Sequence, residues 1–409
     1  MNDFDRTCTQ QPNIRVGIFS SASLEFYGGG EVTVIELANS LTSLGYDVTV
    51  YSDSTSKNII RKSSAEIERM LNCKHKKVDY LRNKSFLLPS FLFQPLPPIS
   101  SLQENHVNLL LLYRLPTRKY LKSLGRNSSL KCLFLMHGIV LSQVNSKSFK
   151  VILYQMHLKT NFSINSRLYT NKRIFFQVFC DDDQGFLLRH GVKHQNMRVI
   201  PTGIDFSKYK VERNDNKFKI VFIGRLDKTQ KGISLLLKVV KDIIVPRYQD
   251  MEIAIIGSGP ALEDIRRIAS RGTNIRCFGF VSEEEKIKLL SESNLMIVTS
   301  NIEPFSIAAV EGLASGLPIV STPVSGPKSI LNGDNGFGKI SSFYKNQFLK
   351  AVLNYYSKWK DNKASYYHNK IERRKKSEKL FDLPIMIKSY ADMIDEVIAH
   401  VDSNDKRSL

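Results

Sequence analysis

The chain has 409 residues, 42% hydrophobic and 24% charged, with 59 Lys and Arg against 39 Asp and Glu and a formal charge of +20. That length suits two or three domains with ordinary cores. Its apolar runs, such as Leu109–Tyr113 and Ile253–Ile256, fall far short of the roughly 18 residues of a spanning helix. Met1–Gln10 is polar and lacks the apolar centre of a secretory signal. The five cysteines (Cys8, Cys73, Cys132, Cys180, Cys277) are scattered without a C-x-x-C pair, which argues against a disulfide framework and a structural zinc site. The expectation is a soluble, reduced, cytoplasmic protein.

In chain order, Ile14–Phe19 is predicted as a strand, followed by the turn Gly28-Gly29-Gly30 and a helix over Glu31–Leu44 with Val34, Leu37, Ala38 and Leu41 on one face. Gly45 ends that helix and Val48–Tyr51 reads as a strand, completing a βαβ unit of a parallel sheet. Ser85–Ser100 carries prolines that forbid a long helix. It is either a core-lining loop or an apolar surface that touches lipid. Further strands are predicted at Leu109–Leu112, Cys132–Met136 and Phe175–Phe179. Residues 51–200 hold 24 Lys and Arg against 8 Asp and Glu. This is either a solvated surface or an attraction for something anionic: nucleic acid, an anionic membrane surface or a phosphorylated substrate.

Pro201–Asn216 reads as a linker. Beyond it, strands and helices alternate: strand Lys219–Ile223, helix Ser234–Lys241, strand Glu252–Ile256, helix Ala261–Ala269 and strand Ile275–Phe278. Helix Glu283–Ser291, strand Leu295–Thr299, helix Ile307–Ala314 and strand Pro318–Ser321 complete the series. That alternation predicts a doubly wound α/β domain. Tyr355–Lys379, rich in Lys, Tyr and Arg, reads as exposed helix, and an amphipathic helix is predicted over Pro384–Val401.

The segment Glu303-Pro-Phe-Ser-Ile-Ala-Ala-Val-Glu311 is the strongest chemical signal. Its first carboxylate sits where a strand opens into a loop and its second lies on the following helix. Between them, Phe305, Ser306 and Ile307 would present unpaired amides at a helix N-terminus, a place that favours an anion such as a diphosphate. Glu311 is placed to reach a ribose, and Glu303 to meet a sugar's hydroxyls, for which carboxylates are good acceptors. His137, at the end of strand Cys132–Met136, is either at the ligand crevice of an α/β sheet or a structural histidine. Two other motifs are set aside. Gly257-Ser-Gly259-Pro-Ala-Leu262 has Leu at the last position of a dinucleotide fingerprint. Asp181-Asp182-Asp183 suits a helix start better than a metal.

With Gly312 and Ser315-Gly316-Leu317-Pro318 behind it, Ile302–Val320 resembles the donor-site signature of glycosyltransferase family 4, a retaining family of the two-domain GT-B type. Val199-Ile-Pro-Thr-Gly-Ile-Asp205 is similar to that family's inter-domain segment, and Ile223–Gly232 to its G-R-L…K-G loop. Ile256–Pro260, Phe278–Ser282 and Gly28-Gly-Gly-Glu31 also match. The resemblance spans residues 14–340 and is weakest over 55–130; Phe179-Cys180 and Thr202 depart from it.

The resemblance implies two Rossmann-like domains facing across a cleft. Residues 1–205 would bind acceptor, 206–383 would bind a nucleotide-sugar donor, and a C-terminal helix over 384–409 would pack back on the first domain. It gives Arg225 and Lys231 the role of neutralising the donor diphosphate, Gly28, Gly29 and Gly30 that of approaching the phosphates, and the backbone at Val281 a contact with the base. It places His137 near the transferred sugar.

The function expected is transfer of a sugar, with retention, from a nucleoside diphosphate to an acceptor hydroxyl on a glycan or lipid-linked precursor. The catalytic set is Glu303, His137, Arg225 and Lys231. No metal or other cofactor and no nucleic acid is expected, and peripheral attachment to an anionic membrane face is. The alternatives are a GT-B enzyme that is not a transferase, such as a nucleotide-sugar epimerase, or a non-catalytic basic protein that binds anionic lipid or nucleic acid.

Overall fold

The computed structural model describes residues 14–20, 23–54, 62–78, 98–112, 118–124, 130, 132–136, 173–243, 250–270, 274–332 and 335–405. Positions 156, 159–160, 162–163, 167, 169–170 and 248 are also described. His137 and most of the proline-rich 85–100 segment lie outside them.

The first sheet comprises β1 (Arg15–Phe19), β2 (Asp47–Asp53), β3 (Lys74–Val78), β4 (Leu109–Leu112), β5 (Cys132–Met136), β6 (Ile174–Val178) and β7 (Met197–Val199). Helices α1 (Gly29–Ser43), α2 (Ser64–Met70), α3 (Ile99–Glu104), α4 (Arg118–Leu124) and α5 (Asp181–Arg189) accompany it. The strand order is β3-β2-β1-β4-β5-β6-β7, with every pairing parallel.

The second sheet comprises β8 (Phe218–Ile223), β9 (Met251–Ile256), β10 (Ile275–Gly279), β11 (Leu295–Val298), β12 (Ile319–Ser321) and β13 (Gly338–Ile340). Its helices are α6 (Ile233–Ile243), α7 (Leu262–Ala269), α8 (Glu283–Ser291), α9 (Ile307–Ala314) and α10 (Ser325–Ile330). The order β10-β9-β8-β11-β12-β13 is again wholly parallel. Both sheets therefore reverse their winding beside the first strand, between β1 and β4 and between β8 and β11. At such a switch point the neighbouring loops diverge and leave a crevice beyond the strand ends.

Central strands covered on both faces read as unbroken apolar runs, and Leu109–Leu112 are all buried. Phe218, Ile220 and Phe222 pack with Ile253 and Ile255 and with Trp359, which lies on α11 (Lys345–Asp361). After α12 (Lys363–Phe381), the last helix, α13 (Leu383–Asp405), returns to the first sheet. Its Met386, Tyr390, Met393, Ile394 and Val397 share one apolar cluster with Val16, Ile18, Leu37 and Leu41.

The chain crosses between sheets twice, and the two crossings are paired. Ile204 N–H donates to the Phe381 carbonyl at 3.0 Å, and Leu383 N–H donates back to Ile204 at 2.9 Å. Phe206 N–H donates to Asp382 Oδ1 at 3.1 Å.

The expectation of a simply exposed helix over Tyr355–Lys379 is corrected. Two helices occupy the segment, and Tyr356, Trp359, Tyr366 and Lys370 are buried. Their cationic side chains reach carbonyls far away in sequence. Arg374 donates to the carbonyls of Phe206, Tyr209 and Ala314 at 2.9, 2.8 and 2.6 Å. Lys370 Nζ donates to those of Glu212 and Ser293 at 2.9 and 2.7 Å.

Burial pulls the Lys370 ammonium down from 10.5 to about 7. The unfolded chain then holds this proton more tightly than the native one between those values. The native state therefore gains stability from this group as pH climbs from about 7 towards 10.5, and the contribution is level below 7. Urea midpoints measured at about pH 7 and about pH 9.5 are expected to show a shallower rise in Lys370→Met than in the parent chain.

Candidate active site

Three loops at the carboxyl ends of β8, β10 and β11 converge. The loop after β8 is stitched to the loop after β11. Thr299 Oγ1 donates to the Lys231 carbonyl at 2.9 Å, and the Asn301 and Ile302 amides donate to the Gln230 carbonyl at 2.7 and 3.2 Å. This stitching sets Lys231 beside Glu303. Lys231 Nζ donates to Glu303 Oε2, and Ser300 Oγ donates to the same oxygen at 3.0 Å.

Glu311, one turn into α9, is 7% exposed. Its Oε1 accepts from Lys286 Nζ of α8 at 2.6 Å and from the Tyr209 hydroxyl at 3.3 Å. Each carboxylate thus has one oxygen held by an ammonium and a hydroxyl. The other oxygens, Glu303 Oε1 and Glu311 Oε2, take no hydrogen bond from any described residue.

Electrostatics follow from burial. Desolvation pushes the Glu311 carboxyl above its ordinary value, against the pull of the Lys286 ammonium. For Lys286, desolvation works downward, but Glu311 and Glu283 outweigh it and hold the ammonium charged. Glu283 lies 2.8 Å from Lys286 Nζ. Burial, followed by the Glu311 charge, pushes the Tyr209 phenol far up, so it remains a donor.

Between the acids, Ser306 caps α9 with its Oγ accepting from Ala309 N–H at 3.3 Å. The first amides of the helix have no intrahelical acceptor and can face an anion. Ser306 has φ +93°, a left-handed conformation that costs a non-glycine residue roughly 1–2 kcal/mol. Replacing a capping Ser by Gly costs only a few tenths. Ser306→Gly is therefore expected to raise unfolding stability by about 1 kcal/mol, measured by urea denaturation.

The glycine turn of the other sheet meets this loop. Gly28 N–H donates to Glu31 Oε2 at 3.0 Å, fixing the start of α1. A Cβ on Gly29 would lie 3.3 Å from Ile307 Cδ1, whereas one on Gly30 would meet open space. The N-termini of α1 and α9 thus face each other across the two sheets. Phe305 adds a contact from its ring to Phe179, centroids 5.7 Å apart.

Arg225 turns to its own loop, donating to Gln230 Oε1 at 2.8 Å and lying 3.6 Å from Asp227. It is half-exposed, and its guanidinium makes no described contact with Glu303. Val281 follows β10 and is half-buried beside the exposed Phe280. Asp181, Asp182 and Asp183 form the first turn of α5, whose N-cap is Cys180. Among the described residues, no group of three or more His, Cys, Asp or Glu side chains converges as a metal set.

Residues 204–372 match the model of the family described as glycosyl transferases group 1. The matched span is about two fifths of the chain and carries the second sheet with both acids. The chain is similar to one component of the phosphatidylinositol N-acetylglucosaminyltransferase of Homo sapiens, 27% identical over 43% of this chain and 39% of that protein. It is 28% identical, over 36% of this chain and 38% of the relative, to the phosphatidyl-myo-inositol mannosyltransferase of Propionibacterium freudenreichii. The match thus spans about two fifths of each relative. Anabaena Alr3699/HepE, solved in complex with UDP and glucose, superposes with a TM-score of 0.68 at 15% identity, over 93% of this chain and 99% of that one. The fold is GT-B.

Of the residues expected from sequence, Glu303, Lys231, Phe305, Ser306, Ile307, Glu311 and Gly29 come together around the α9 N-terminus. Lys286, Tyr209, Ser300 and Gly326 were missed. Gly326 N–H donates to the Glu303 carbonyl at 3.0 Å. The small-residue pair Ser325-Gly326 after β12 was the one visible hint of that contact.

Proposed function

We propose that the protein is a glycosyltransferase that moves a sugar, with retention, from a nucleoside diphosphate to an acceptor hydroxyl. One observation carries this reading. Two carboxylates, each with one oxygen held and one available, flank the amides of a helix N-terminus that faces a glycine turn from the other domain. The amides and the glycine turn take the diphosphate. Glu311 Oε2 accepts from the ribose, and Glu303 Oε1 accepts from the sugar's hydroxyls.

Lys231 and Arg225 offset the negative charge that grows on the departing diphosphate, an interaction that strengthens toward the transition state. That oxygen can take the proton of the incoming hydroxyl, so the acids need form no covalent intermediate with the sugar. No metal enters this scheme.

The acceptor we infer is a lipid-linked or glycan precursor. The charge of residues 51–200 and the lipid-directed names of both relatives support it. Among the described residues no helix is long and apolar enough to cross a membrane. We place the enzyme in the cytoplasm, peripherally on the membrane face.

A melting-temperature screen with UDP-, GDP- and ADP-sugars tests the donor reading. A true donor at 100 times its Kd adds about 2.7 kcal/mol of stability by mass action. Absence of any shift across the panel at millimolar ligand rejects it.

A further inference from the structure

We propose that Tyr209 and Lys286 are positioning residues that aim Glu311 at the ribose of the donor. The proposal rests on the donor-site reading above and goes beyond it to residues outside the acidic motif. Both donate to the same oxygen, Oε1, at 3.3 and 2.6 Å. A carboxylate turning about its terminal bond exchanges its oxygens. Two donors converging from different elements on one oxygen oppose that rotation and leave Oε2 as the available acceptor.

The arrangement at Glu303 is its counterpart, with Lys231 and Ser300 both on Oε2. The same solution thus recurs at the two acids, built from unrelated parts of the chain.

Tyr209 is itself held rigidly. Its ring is buried at 5% exposure. Its carbonyl accepts from Arg374 at 2.8 Å, and the same guanidinium donates to Ala314 at the last turn of α9. The segment crossing between the sheets is therefore fastened to α9 twice, by Tyr209 OH to Glu311 within the helix and by Arg374 at its end. Lys286 is fastened in turn by Glu283, one turn earlier on α8. Glu311 is thereby oriented from the crossing segment on one side and from α8 on the other, while Oε2 receives a vicinal hydroxyl without rearrangement.

The test uses the full chain with UDP, GDP and ADP and their 2′,3′-dideoxy forms as probes, in equilibrium titrations of the parent, Tyr209→Phe and Lys286→Met. The parent should prefer the ribonucleotide. Each variant should bind the ribonucleotide about tenfold more weakly, the scale of one charge-assisted hydrogen bond, while its affinity for the dideoxy form stays near the parent's. Discrimination then collapses, which general loosening of the fold would not produce. Variants that keep the parent's discrimination, or that lose both nucleotides equally, overturn the proposal. Lys286→Met keeps the test decisive if Tyr209→Phe fails to fold. A parent chain that binds nucleotide without preferring ribose overturns the placement of Glu311 itself. A parent that binds none of these nucleotides overturns the donor-site reading. Both failures are seen before any variant is measured.

Discussion

Alanine at Glu303 is expected to lower the rate of sugar transfer at saturating donor by about two to three orders of magnitude, the usual cost of removing a preorganised polar group from a reacting centre. The carboxylate holds Lys231 through Oε2, and in the proposed function its Oε1 accepts from the sugar. Its loss would remove the proposed sugar contact and leave the Lys231 ammonium without its carboxylate partner. The fold should tolerate this. The Lys231 side chain is 23% exposed and can be solvated once unpaired. A melting temperature near the parent's together with the lost rate is the expected pair of results. Glu303→Gln keeps an acceptor oxygen without the charge and should fall between the two. Full activity in Glu303→Ala would remove the acid from the chemistry.

Gly326→Ala should do damage of a different kind. A Cβ at this position would stand 2.3 Å from the Phe305 carbonyl oxygen and 2.4 Å from its Cα. Those are backbone atoms and cannot swing aside as a flexible side chain would. The loop must move bodily, carrying the Phe305–Ile307 amides off the proposed diphosphate site and breaking the hydrogen bond from Gly326 to the Glu303 carbonyl. Overpacking of this sort costs about 1–3 kcal/mol of stability, and misplacement by about an ångström costs on the order of a hundredfold in rate. Denaturation and initial-rate measurements read the two losses. Parent-like values in both would mean that the β12 loop does not support the anion site.

Much of the fold is legible in the sequence because parallel strands buried on both faces write themselves as apolar runs. Leu109–Leu112, Ile253–Ile256 and Leu295–Val298 are of this kind. β3 is not legible, since Lys74-His-Lys-Lys-Val78 lies at a sheet edge. Charged residues are suited to that position and blunt an edge against further pairing. The acidic pair and its helix N-terminus stand out because strand, loop and helix follow one another without a break.

The partners of Glu311 do not stand out. Lys286 and Tyr209 lie 25 and 102 residues from it, and Lys231, 72 residues from Glu303, was reached only through the family resemblance. Only the crossing of loops at the sheet's switch point brings them within reach. The same holds for Lys370 and Arg374, whose acceptors are carbonyls of distant turns and leave no mark in composition.

Equilibrium titration of Glu303→Ala and Glu311→Ala, each with the intact sugar donor and with the bare nucleoside diphosphate, tests the division of labour between the two acids most directly. Glu311→Ala should weaken both ligands by a similar factor, because the ribose is common to them. Glu303→Ala should weaken the sugar-bearing ligand alone. If Glu303→Ala instead impairs the bare diphosphate as much as the donor, or if neither change alters binding, the acids do not divide donor recognition as described.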